Sequence, residues 1–357
     1  LGTTMSPTFA NLGNPDITWE TVTKQNVGLE FSFFKNRLSG SLDVYHEKTT
    51  DLLFWLSIPE SSGSRGYYGN VGDLKNVGFE LALNGSLYRA SNIDVSLSAN
   101  IAHNKSEILS LPESKIRENG GFASDGSGCW YEVGGSLHQG YRKSYAGVDE
   151  YGQAMYWMDS SLNGSTAKPG SVKDKKTYNP NEASYYRQGT YTPDFFGGFA
   201  LNVKLWDFDL SATFDYQIGG KGYDARYASL MSPDSDMNNS YIYNRHKDWE
   251  KAWSPNNTES NIPRWQYLDQ YSVASCDRFL TNASYLNFQS FMVGYNVPKK
   301  VLNHMGLSGL RLYVSGENLC YWSARKGFDP RQGYSGNSSV TAYPSTCTIL
   351  GGVQVSF

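Results

Sequence analysis

The sequence has no apolar run near the ~18 residues that a membrane-crossing helix requires, which excludes a helical membrane protein. Charge is scarce. Asp, Glu, Lys and Arg make up 18% of the chain, against ~25% in ordinary globular proteins. The 31 Lys and Arg nearly balance the 34 Asp and Glu, so there is neither the basic surface that nucleic acid requires nor an acidic tail. Cys129, Cys276, Cys320 and Cys347 include no CxxC pair, which removes the common zinc-site spacing. No basic segment followed by an apolar one opens the chain, so any export signal is expected upstream of Leu1 or already removed.

Tyr, Phe, Trp and Gly are abundant: 26, 17, 9 and 36 in 357 residues. A charge-poor chain rich in Tyr and Gly reads as all-β. One all-β class hides its membrane signal by alternating apolar and polar residues, the outer-membrane barrel. Alternation dominates here. Val27, Leu29, Phe31 and Phe33 share one face, and Leu38, Gly40, Leu42 and Val44 follow after a turn. Val77 to Leu83, Ile93 to Ile101, Phe199 to Leu205, Phe208 to Phe214, Leu310 to Val314 and Ile349 to Phe357 repeat the pattern. Between Tyr285 and Val297 the apolar parity switches from Leu286 and Phe288 to Phe291, Val293 and Tyr295, which predicts a bulge.

About eleven antiparallel strands are expected, near 23–35, 37–48, 76–87, 92–103, 139–148, 153–158, 195–205, 207–218, 283–297, 308–319 and 346–357. Short connections at 35–37, 88–92, 149–152, 205–207 and 298–307 alternate with long ones at 49–75, 104–138, 159–194, 218–282 and 320–345. That is the rule of short periplasmic turns and long outer loops. Tyr45, Trp55, Tyr88, Tyr145 and Trp206 fit interfacial girdles or ordinary β packing. An odd strand count with an inward-running last strand means that the first strand enters from outside. Residues 1–357 are therefore expected to form the C-terminal half of a plugged barrel with about 22 strands. Phe357, ending the last strand, has the form of a barrel-assembly signal.

No catalytic or metal set emerges. His46, His103, His138, His246 and His304 are scattered without His-x-x-x-His spacing, and Gly219-Gly220-Lys221-Gly222 lacks phosphate-loop spacing. Asp234 to Asn238 opens like a calcium loop, but Asn239 and Arg245 stand where such a loop needs Gly and Glu. It reads as a polar loop. No cofactor is expected, and no enzymatic activity.

Several stretches resemble the SusC/RagA family of TonB-dependent outer-membrane transporters of Bacteroidetes-type bacteria. They are Asn14 to Glu20, Asn26 to Glu30, Asn36 to Ser41, Lys48 to Leu53, Asn70 to Gly72 and Asn76 to Leu81. Further on come Arg278 to Leu280, Ala283 to Leu286, Gly294 to Pro298, Arg311 to Leu319, Gly327 to Pro330 and Tyr343-Pro344. The resemblance implies an integral outer-membrane β-barrel whose signal, N-terminal domain, TonB box and plug lie outside these residues. It also implies uptake of oligosaccharide or peptide beneath a SusD-like surface lipoprotein, with energy from the TonB complex. A passive porin or adhesin, and a receptor for a metal chelate or cobalamin, are the alternatives.

Aromatics in the long loops are the candidate cargo contacts: Trp130, Tyr131, Tyr241, Tyr243, Trp249, Trp253 and Trp265, with Tyr267 nearby. Flat rings beside amides suit sugars or peptide side chains; packing of loop on loop is the competing role. The loops 104–138, 159–194 and 218–282 are expected to form the partner interface and the cargo chamber. Cys320 and Cys347 are expected to face each other across the last hairpin, with Leu312 opposite Val355 and Val314 opposite Val353, close enough for a disulfide.

Overall fold

A computed structural model describes residues 12–116, 119–123, 128–162, 168–233, 244–267, 269, 271–272, 274–332 and 343–357. Nine strands form one antiparallel sheet: β1 (Thr21–Phe33), β2 (Leu38–Thr50), β3 (Asp73–Arg89), β4 (Ile93–Ser110), β5 (Phe195–Leu205), β6 (Phe208–Ile218), β7 (Tyr285–Asn296), β8 (Gly309–Ser323) and β9 (Thr348–Ser356). Each strand pairs with its sequence neighbours, an unbroken meander with β1 and β9 at the two edges.

The period-2 pattern sorts side chains between two faces. Register places Val27 beside Val44 and Val44 beside Phe79, while Leu29, Leu42, Leu81 and Ile101 form the next row. Across the sheet Phe199 stacks on Phe214 at 4.8 Å, and Phe214 on Phe288 at 4.6 Å. This apolar face is uncovered: Val27, Leu29, Val314 and Val353 are all exposed. In water such a surface would cost ~25 cal/mol per Å², whereas in lipid it needs no cover. The other face is polar. There Arg311 reaches Asp209 at 2.6 Å, and Asn287 donates to Asp215 at 2.6 Å.

Short and long connections alternate. Residues 34–37, 90–92, 206–207 and 297–308 close one end of the sheet. Trp206 takes φ 52° in its two-residue turn, a left-handed conformation that tight hairpins require. The described residues of the connections 51–72, 111–194, 219–284 and 324–347 gather at the other end. Segment 12–20 also lies at the long-loop end, where Asn14 Nδ2 donates to the Tyr68 carbonyl and Asn70 Nδ2 to that of Thr18. The chain thus enters β1 from the long-loop side. The expected bulge falls at Gln289, which is skipped in the pairing of β7 with both neighbours.

Three expectations are corrected. Segments 139–148 and 153–158 are extended but stand outside the sheet. Gln139–Lys143 pairs with Tyr185–Thr190, and Tyr145–Val148 with Ala154–Met158. β4 pairs directly with β5, so the continuous sheet has nine strands rather than eleven, and 111–194 is one long excursion. The last hairpin is shifted by two residues: Leu312 faces Val353, Leu310 faces Val355, and Cys320 sits beside Phe288 of β7. Cys320 and Cys347 are exposed, and no disulfide joins them. Of the girdle candidates, Tyr88 and Trp206 stand exposed at the short-turn end. Tyr45 lies on the polar face, Trp55 in an outer hairpin, and Tyr145 packs inside the loops.

Candidate functional site

A sheet one layer thick, with its apolar face open and its polar face inward, cannot bury a core of its own. The core lies in the long loops instead. Ala154, Tyr156, Ala183, Ala228, Met231, Cys276 and Phe279 form a buried cluster, with Tyr145, Tyr223, Tyr227, Trp249 and Ile262 packed against it. These residues come from two excursions far apart in sequence, 111–194 and 219–284. The outer loops therefore make one folded layer over the end of the sheet.

Polar groups lock the layer. Asp277 accepts from the Tyr145 amide at 2.7 Å, from Ser144 Oγ at 2.6 Å and from Gln188 Nε2 at 3.3 Å. Arg142, buried, donates to Ser275 Oγ at 2.6 Å and lies 3.8 Å over the Tyr223 ring. Asp159, also buried, accepts from the hydroxyls and amides of Ser161 and Ser171 and from the Val172 amide. Those bonds, led by the Ser161 hydroxyl, hold its carboxyl well below the usual carboxylate range. Burial raises Glu132, but the Arg187 guanidinium at 2.5 and 2.7 Å and the Trp130 indole outweigh it, so its carboxyl is held low. The Cys276 thiol is pushed up to about 12, chiefly by burial.

The last long loop joins the same layer. Phe328 packs against Gly222, where an added Cβ would stand 2.6 Å from the ring. A cleft of about 520 Å³ opens between the layer and the polar face of the sheet. Asn76, Asn104 and Gln217 line it from the strands, and Lys221, Phe328 and Arg331 from the loops. Among the described residues no group of His, Cys, Asp and Glu could hold a metal, and no helix is long and apolar enough to cross a membrane.

The candidate aromatics separate into two sets. Trp130 has no exposed surface; it stacks on Tyr141 at 5.0 Å and donates to Glu132 at 3.1 Å. Trp249 packs on the loop core, with its indole N–H on the Leu230 carbonyl at 3.1 Å. Trp130 is enclosed by the loops that fold on each other, whereas Trp249 is half-buried at the edge of their core. Tyr131 packs edge-on to Phe122, and half-buried Trp253 packs against Gly152. Trp265 is 54% exposed, and Tyr267 and Tyr151 stand out beside it. Arg264 ties that group together by donating to the Tyr151 and Gly152 carbonyls at 2.9 and 2.8 Å. Tyr241, Tyr243 and the Asp234–Asn239 segment lie outside the described residues. Sequence reasoning missed Tyr151, although its place in the turn Glu150-Tyr151-Gly152 marks an exposed ring.

A one-layer meander with short turns at one end and folded loops at the other defines an outer-membrane β-barrel class, and comparison with known proteins narrows it. The family described as TonB dependent receptor-like, beta-barrel matches residues 1–148. TonB-dependent receptor P3 of Formosa agariphila is 28% identical over 98% of this chain and 35% of its own length. TonB-dependent receptor SusC of Bacteroides thetaiotaomicron is 26% identical over 96% of this chain and 32% of its own. The RagAB peptide importer in its open-open state superposes with a TM-score of 0.78 at 29% identity, over 97% of this chain and 36% of that one. Residues 1–148 thus match the TonB-dependent receptor β-barrel family, and nearly the whole chain is similar to its SusC and RagAB relatives. It spans about a third of the length of the relatives it matches. Family and fold imply the outer membrane.

Proposed function

We propose that the protein is a TonB-dependent nutrient importer of the Gram-negative outer membrane that takes up peptide or oligosaccharide with a SusD-like lipoprotein seated on its outer loops. The observation that carries this reading is the loop layer. A connection needs only a few residues, yet here the loops bury their own core and present Tyr151, Trp265 and Tyr267 outward. The cleft beneath has the size and mixed lining of a small-ligand site. In this reading residues 1–357 belong to the barrel domain, and the described ones are barrel wall and outer layer. β1 and β9 pair with strands contributed by the remainder of the barrel, because unpaired edges are not tolerated in lipid. TonB contact belongs to a segment outside these residues. No bond is made or broken in the cargo.

The test uses the full-length protein in its own outer membrane. Radiolabelled oligopeptides and oligosaccharides are offered to cells with and without TonB. Accumulation of one class that stops on TonB depletion supports the reading; equal entry in both cells would identify a passive pore.

A further inference from the structure

On the lipid-facing side of the sheet, β2, β3 and β4 change character towards the long loops. Leu42, Leu81 and Ile101 form one row, and Val44, Phe79 and His103 the next. The rows beyond carry His46, Val77 and Lys105, then Lys48, Lys75 and Glu107. Alternation keeps the three lysines on the same face as the apolar rows. On that face β5 to β9 carry no Lys or Arg at all.

Lys48 and Lys75 are direct cross-strand partners, an arrangement that costs free energy unless an anion lies between. Asp73 offsets Lys48 at 3.3 Å, and Glu107 offsets Lys75 at 2.9 Å. All four side chains are partly exposed, and such pairs are weak enough for a phosphate to compete. Lys105, exposed, has no ion pair among the described residues.

We propose that Lys48, Lys75 and Lys105 form a docking site for the phosphate groups of a phosphorylated glycolipid in the outer leaflet. The inference rests on the outer-membrane reading above, since it places the long-loop end of β2, β3 and β4 at outer-leaflet headgroups. Charge complementarity is local: three cations sit immediately outward of apolar rows that take the acyl chains. Spread over three strands they cover ~10 Å, which two phosphates on one sugar headgroup span and a single phosphodiester does not.

The experiment takes full-length protein in detergent and measures lipid retention by native mass spectrometry. The probes are bisphosphorylated lipid A, its dephosphorylated form and phosphatidylglycerol. The comparison is the triple variant K48Q/K75Q/K105Q, with insertion into liposomes and heat-modifiable mobility as folding controls. Wild type should retain bisphosphorylated lipid A roughly 10–100-fold better than the variant and than either other lipid. Equal retention by a folded variant overturns the proposal. So does equal retention of phosphatidylglycerol, or displacement of the lipid by ~10 mM inorganic phosphate. Failure of the wild type to insert into liposomes, seen before any of the three probe lipids is added, would overturn the outer-membrane reading itself.

Discussion

Asp224 and Arg325 stand 101 residues apart and meet at 3.1 Å, with the guanidinium lying 3.6 Å over Tyr227. Asp224 is buried and also caps the helix Ala225–Leu230 through the Tyr227 amide at 2.9 Å. One carboxylate thus fixes a helix start and ties the third long loop to the fourth. Arg325→Ala leaves that charge buried and unpaired, which should cost about 3 kcal/mol within the loop layer. Limited proteolysis should cut 219–284 faster while the heat-modifiable mobility of the barrel is retained.

The Asp159 knot predicts a pH window. A carboxyl held low in the folded state contributes stability above its ordinary pKa of ~3.9 and loses it as pH falls towards the folded value. Glu132 acts in the same direction. Protease resistance of the layer should be flat from about pH 7 to 5 and fall below about pH 4. Asp159→Ala should lower it by about 2–4 kcal/mol above about pH 5, since several bonds to one charged group are lost, and by less as pH falls below about 4.

Gly222→Leu should separate the last loop from the third. The added side chain enters the space of the Phe328 ring, which lies 2.6 Å from the Cβ position and is buried. Overpacking of this kind costs about 1–3 kcal/mol. Hydrogen exchange should quicken at 324–332 and stay unchanged in β2 and β3.

Cysteine chemistry should split by burial. Buried Cys129 and Cys276 should take up maleimide at pH 8 only after unfolding, and Cys276 has its thiol pushed up to about 12. Cys347 should label in the native protein, and reduction should leave electrophoretic mobility unchanged.

Strands, turns and the Gln289 bulge were legible because each follows from side-chain parity, which one sequence displays. The Cys320–Cys347 pairing failed for the same reason. A slip of two residues keeps every apolar side chain on its face, so parity cannot choose between Val353 and Val355 as the partner of Leu312. Gln139–Lys143 and Ala154–Met158 alternate like barrel strands, but each is 5 residues, short of the ~9–11 a membrane strand needs. Tyr141 and Tyr156 face a core, not lipid. The packing of Trp130 and Trp249 was not legible, since it depends on contacts made by loops folding back on themselves.

The proposed function assigns the exposed aromatics Tyr151, Trp265 and Tyr267 to capture of cargo or lipoprotein, while the buried ones hold the layer together. It is tested most directly by uptake in cells carrying the full-length protein with Tyr151, Trp265 and Tyr267 all changed to Ala. Single hot-spot aromatics contribute about 2 kcal/mol or more, so the triple variant should lose at least tenfold in TonB-dependent uptake or in lipoprotein retention, with protease resistance of the layer unchanged. Wild-type uptake together with wild-type lipoprotein association would contradict the account.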